Sequence, residues 1–273
     1  MMILVPPGFE GNADDVRRLA ELTGLVQYDV KTRLRPGSWG VLRVLADADE
    51  AEALHAVLSQ HGIPTVVVDS MVAFDQTRRI VRVDQLSLDD GALSLSAAGQ
   101  SMRVDPKVLL VVVRGEIRAQ PSAWHERRTS SSSSLKAVVP SSAEVQVFRE
   151  RAQSEYVDSF PGADLHFATV QWVARIDARQ LDFAVLGIQG AGPLARMEQL
   201  ADKLAALASV RVDRSFPHSS LASFSERPPP LHARTPAPSV PPSSPRNFEH
   251  QPFDGYSRLV GEAERVERGW VVA

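Results

Sequence analysis

Asp47–Val68, DADEAEALHAVLSQHGIPTVVV, decides the reading of the N-terminal part of the chain. Asp47 followed three residues later by Glu50 is a helix-start signature, because a short side-chain oxygen can satisfy the free N–H groups of a first turn. Ala51, Leu54, Val57, Leu58 and His61 then recur at helical spacing. Gly62 supplies the left-handed stop, and Pro64–Val68 is β-branched and strand-like. Upstream, Asn12 with Asp15 makes a second helix start, Val16, Leu19, Ala20 and Leu22 form its apolar face, and Gly24 ends it. A short helix over Gln27–Leu34 stops before Pro36–Gly37. Ile3–Val5 and Trp39–Leu45 read as strands. The order over residues 1–69 is β-α-α-β-α-β.

Several of these residues together resemble a known domain. Val16, Arg17, Glu21, Thr23-Gly24-Leu25, Lys31, Ala51-Glu52, Leu54, Leu58, Gly62 and Val66 match the C-terminal domain of the bacterial ribosomal stalk protein. That domain shares its general fold with the adaptor of the Clp protease. The resemblance covers residues 16–68 and implies a stalk/adaptor-like fold there. The surface with which the stalk domain recruits translation factors has a basic residue where this chain has Ala20, a glycine where it has Val26 and a lysine where it has Tyr28. A shared fold without the stalk function is the expectation.

Beyond residue 69 the period changes. Arg79–Val83, Gln85–Leu88, Ala92–Ser96, Ser101–Val104 and Val108–Val113 read as strands, with Asp89-Asp90-Gly91 as a hairpin turn. Residues 70–119 are therefore expected to form an antiparallel β-rich module. Residues 120–143, with the run Ser130–Ser134, read as a linker. Residues 144–226 read as a second α/β unit that could share a sheet with 70–119. Its strands are expected at Val145–Phe148, Tyr156–Phe160, Leu165–Val173, Leu181–Leu186 and Val210–Val212. A helix beginning at Pro193 carries Leu194, Met197, Leu200, Ala201, Leu204 and Ala208. Residues 227–250 are Pro-rich and linker-like. Residues 251–273 return to an amphipathic helix, tethered at the C-terminal side. The fold class is α+β.

Composition excludes several chemistries. The chain has 273 residues and 44% apolar residues, enough to bury a sizeable core. A net charge of −3 gives no general attraction to polyanions, so nucleic acid is not an expected partner. The absence of cysteine removes disulfides, thiolate metal sites and cysteine nucleophiles. MMILVPPGFEGN lacks a basic region and its apolar run ends at Pro6–Pro7, so neither a secretory leader nor a membrane anchor is expected, and the expected location is cytoplasmic.

The candidate sites are few. Gly187-Ile-Gln-Gly190-Ala-Gly192 opens a helix and could turn N–H groups toward an anion, with Arg196 one turn further on. Its order matches neither the dinucleotide fingerprint nor the P-loop. His55 and His61 lie about 240° apart around one helix, so they do not converge on a metal. Asp158, Asp164, Asp177 and Asp182 read as solvated strand-end residues, although acids converging from several strands could in principle make an active site. Arg127-Arg128-Thr129-Ser130 resembles a basophilic phosphorylation site. The tail helix would offer Phe253, Tyr256, Leu259 and Val260, either to its own body or to a partner's groove. The polar side chains are expected to serve turns, caps and solvation, with no catalytic residue, metal or cofactor. A non-enzymatic protein-binding or adaptor role follows; the alternative is an enzyme or nucleotide-responsive regulator built on the 187–192 turn.

Overall fold

The computed structural model describes residues 1–9, 11–89, 91–118, 159–225 and 252–270. The N-terminal unit has the expected order: β1 (Met2–Val5), α1 (Ala13–Thr23), α2 (Gln27–Arg33), β2 (Gly40–Val44), α3 (Ala48–Gln60) and β3 (Val66–Val68). Both reciprocal bonds of a capping box hold the start of α1: Asn12 accepts from the Asp15 N–H, and Asp15 accepts from the Asn12 N–H. Asp47 likewise accepts from the Asp49 and Glu50 N–H groups. Gly24 closes α1 at φ +67°, a conformation that favours glycine. The strands form an antiparallel sheet in the order β2-β1-β3.

The middle of the chain makes two sheets. β5 (Gln85–Asp89), β6 (Ala92–Ala97) and β7 (Gln100–Val104) are an antiparallel meander. β4 (Ile80–Val83) and β8 (Leu109–Arg118) instead join β9 (Ser159–Phe167), β10 (Val173–Asp177) and β11 (Arg211–Asp213) in a five-stranded sheet, ordered β11-β8-β9-β10-β4. Residues 70–119 and the later strands thus share one sheet. It is mixed: β10 runs parallel to β4 and β11 parallel to β8, whereas β9 is antiparallel to both of its neighbours.

Among the described residues three further α-helices belong to the α+β fold: α4 (Pro193–Ala208), the short α5 (Ala222–Ser225) and α6 (Pro252–Glu267). Strand alternation sorts the side chains into layers. Ile3, Val5 and Leu42 face α1–α3, while Met2, Leu4, Val41, Val66 and Val68 face the opposite way. On the five-stranded sheet, Val112, Ala163, Leu165, Ala174 and Ile176 face α4 and the meander. Val111, Val113 and Phe160 face the N-terminal sheet. Between the two sheets lies α6, whose Phe253, Tyr256, Leu259, Val260 and Ala263 belong to the same core as Met2, Leu4, Trp39 and Val113. The N-terminal unit and the β-rich remainder are joined through this helix.

Several expectations change. Leu181–Leu186 is no strand; its residues turn toward α4, and Asp182 accepts the Ala184 N–H at 3.0 Å, the geometry of an Asx turn. Leu165–Val173 divides into the end of β9 and the start of β10, with a turn between them. Leu194 is exposed, because it falls off the face of α4 that carries Met197, Leu200, Ala201 and Leu204. Val145–Phe148 and the linkers at 120–143 and 227–250 lie outside the described residues.

Candidate functional site

The strongest concentration of ionisable groups sits beneath α6. A helix buried this deeply would ordinarily be apolar. This one carries Asp254, Arg258, Glu262, Glu264 and Arg265, and each meets a partner on another element. Arg175 on β10 lies opposite Asp164 on β9 and grips it with two parallel bonds of 2.8 Å. Its remaining nitrogen donates to Asp254 at 2.6 Å. Arg211 on β11 donates to Glu264 at 2.7 Å, and Trp39 Nε1 donates to the same carboxylate at 3.2 Å. Glu262 receives Arg78 at 2.6 Å and Arg265 at 3.0 Å. Arg265 also donates to the Phe167 and Val170 carbonyls, and Arg258 to that of Ala73. Tyr256 donates to Asp213 at 2.8 Å.

Electrostatics follow from this packing. Burial alone would raise the Asp164 pKa, but Arg175 holds it below the usual carboxylate range. Burial works against the Arg175 charge, and Asp164 and Asp254 overcome it, so its pKa is raised. Burial, reinforced by the Asp213 charge, pushes the Tyr256 phenol well up. His166 on β9 is pushed down to about 4 by burial; Asp164 opposes the shift, while Arg265, Arg78 and Arg175 add to it.

Ser257 Oγ lies 2.8 Å from His166 Nε2, a nucleophile–base distance. The surroundings do not suit catalysis. Ser257 is 1% exposed, and α6 is pressed so closely on the ring that a Cβ at Gly261 would stand 2.1 Å from His166 Nδ1. Asp164, the carboxylate that would orient such a base, is already held by Arg175. A histidine neutral down to about pH 4 is also a weak base. The arrangement fastens the helix.

Asp164 and Asp177 are therefore corrections to the sequence reading. Both are buried, at 0% and 3% exposure, within paired strands instead of in solvent. Alternation on β9 and β10 does place Asp164, His166, Arg175 and Asp177 on one face, but that face is covered by protein. Asp177 accepts Arg179, and Asp182 serves its turn. Asp158 and the Arg127–Ser130 motif lie outside the described residues. The density of charge within 252–268 is the available signal: seven charged residues, five of them between Asp254 and Arg265 among the apolar anchors, need partners.

The glycine turn is also a correction. Gly187 (φ +61°) ends a tight turn in which the N–H groups of Gly187 and Ile188 are already bonded to the Ala184 and Phe183 carbonyls. The side chains of α4 bind carbonyls of the turn: Lys203 takes that of Leu186 at 2.8 Å, and Gln199 that of Gln189 at 2.7 Å. Arg196 lies by the Gly192 carbonyl and over the Phe183 ring. Gly190 lies close to α4: a Cβ there would stand 3.0 Å from Arg196 Cγ. The turn thus offers carbonyl acceptors to Lys203 and Gln199, and its Gly187 and Ile188 N–H groups are taken up within the turn.

The expected partner-binding residues Phe253, Tyr256, Leu259 and Val260 are 0–1% exposed and fill their own chain's core. They present nothing to a partner in this arrangement. His55 bonds Thr65 at 2.7 Å. Among the described residues no three His, Asp or Glu gather closely enough to hold a metal ion, and no helix is long and apolar enough to cross a membrane.

The large apolar groups that do face solvent include Val26 and Tyr28, 62% and 74% exposed, where α1 gives way to α2. No protein-family model matches this chain, and neither does any curated protein or solved structure with which it was compared.

Proposed function

We propose that this is a non-enzymatic protein-binding protein of adaptor type, acting in the cytoplasm, whose contact surface lies on the N-terminal unit around Val26 and Tyr28. The carrying observation is their exposure. Two large apolar side chains two residues apart stand in solvent where Gly24 ends α1 and α2 begins. Tyrosine in particular provides contact area at low entropic cost and is enriched where partners bind. The resemblance of residues 16–68 to stalk and Clp-adaptor domains supports the same surface, since Val26 and Tyr28 stand where the stalk domain has a glycine and a lysine. The charged residues that might suggest chemistry are engaged in holding α6.

The test compares the intact chain with Val26→Asp and Tyr28→Ser variants in crosslinking and affinity capture. Both variants should keep the melting temperature within about 2 °C, because exposed positions contribute little to stability. Both should lose a shared set of captured proteins. An unchanged set would remove the proposal.

A further inference from the structure

The meander ends in an open edge. Its strand order is β5-β6-β7, and no described strand pairs with the outer side of β7. Ala98 and Gly99, at φ +50° and +79°, form the two-residue turn between β6 and β7, across which Ala97 faces Gln100. In such a hairpin the residues flanking the turn exchange hydrogen bonds, and bonded and non-bonded pairs alternate from there. Gln100, Met102 and Val104 therefore bond to β6, and the N–H and C=O groups of Ser101 and Arg103 point outward. The same alternation turns the Ser96 carbonyl away from β7, where it accepts the Asp84 N–H at 2.8 Å. Such a row of open backbone groups is a template for another strand.

A cavity lies beside that edge. Met102 and Val104 stand opposite Leu95 and Leu93, so they share the face of the meander that is turned to the core. They do not close it. Met102 is 38% exposed, and a cavity of about 230 Å³ is lined by Met102, Val104, Val170, Phe167 and Trp172. The two rings stand 5.5 Å apart, and Arg265 holds the backbone behind them through the Phe167 and Val170 carbonyls. Charge adds a third feature. Arg103, exposed at the rim, has no ion pair among the described residues, and neither has Lys107. Asp105, the carboxylate of this lining, accepts the Lys107 N–H at 2.9 Å.

We propose that β7 takes up an extended segment of a partner protein as a fourth strand of the meander. The partner residues opposite Met102 and Val104 are apolar and cover the cavity, and the residue between them, opposite Arg103, is acidic. A second copy of this chain suits the edge less well. Pairing two β7 strands sets two arginines on one face, directly opposite or diagonal to each other, and edge charges of this kind discourage self-pairing.

The test is fluorescence anisotropy of the full chain with a labelled peptide whose core Val-Glu-Val is flanked by threonines. Peptides with the cores Val-Lys-Val and Ala-Glu-Ala are the controls. Saturable binding of the first, weakened roughly ten-fold or more in each control, is expected. Arg103→Glu should invert the preference in favour of the lysine peptide. Ser101→Pro removes an outward N–H and no bond to β6, which an edge strand tolerates, and should abolish binding. Absence of saturable binding into the millimolar range, equal binding of the lysine peptide, or a preference unchanged in Arg103→Glu would each overturn the proposal. So would self-association of the chain that Ser101→Pro abolishes, which would give the edge to a second copy.

Discussion

His166 makes the stability of the protein depend on pH in a defined window. Its ordinary pKa is 6.5 and its folded value about 4. Below 6.5 the unfolded chain takes up a proton at this residue while the folded chain does not, so stability is full above that pH and declines as pH falls toward 4. At roughly 1.4 kcal/mol per pH unit, the gap between 6.5 and about 4 comes to about 3 kcal/mol. Asp164, whose pKa is lowered, gives up its contribution only at more acid pH. The assay is urea unfolding from pH 7 to pH 4 of the natural chain and of His166→Gln, which stays neutral and keeps an amide to meet Ser257. Groups common to both proteins cancel in the difference. The natural chain should lose about 3 kcal/mol more than the variant over this range. Parallel curves would refute a buried, neutral His166.

Other consequences concern the same helix. Gly261→Ala places a methyl 2.1 Å from His166 Nδ1 and should cost about 3 kcal/mol, read as a fall in melting temperature. Tyr256→Phe removes a donor to Asp213, a carboxylate at 0% exposure, and should cost about 1–2 kcal/mol by chemical denaturation. Arg175→Met strands Asp164 and should cost about 3–5 kcal/mol, with Asp164→Leu in the same chain recovering roughly half in a double-mutant cycle.

The N-terminal unit was legible because its signals are local. Asn12, Gly24, Asp47 and Gly62 mark the helix ends without reference to the rest of the chain. The strands of the meander were equally readable, since Leu86, Leu88, Leu93 and Leu95 alternate with polar residues across one hairpin. The five-stranded sheet was harder to read, because β4 and β8 find their partners among strands up to a hundred residues later. The alternation of Asp164, His166, Arg175 and Asp177 with apolar neighbours carries two meanings: a solvated face, or a face covered by something polar. Deciding between them requires knowing where α6 lies. Phe253, Tyr256, Leu259 and Val260 of α6 read as an anchoring face from their spacing, whereas the polar residues between them carry no local sign that they are anchors too. Val26 and Tyr28 stand out only as departures from a resembling domain.

The central position of α6 also has a temporal consequence. Translation runs from the N-terminal to the C-terminal side, so Pro252–Glu267 leaves the ribosome after every strand and helix that it contacts in the described structure. Until then Trp39, Leu4 and Val113 lack the hydrocarbon that covers them, and Arg175 and Arg211 lack Asp254 and Glu264. A nascent chain stalled before Pro252 is thus a sticky, half-built particle and a ready substrate for chaperones and proteases.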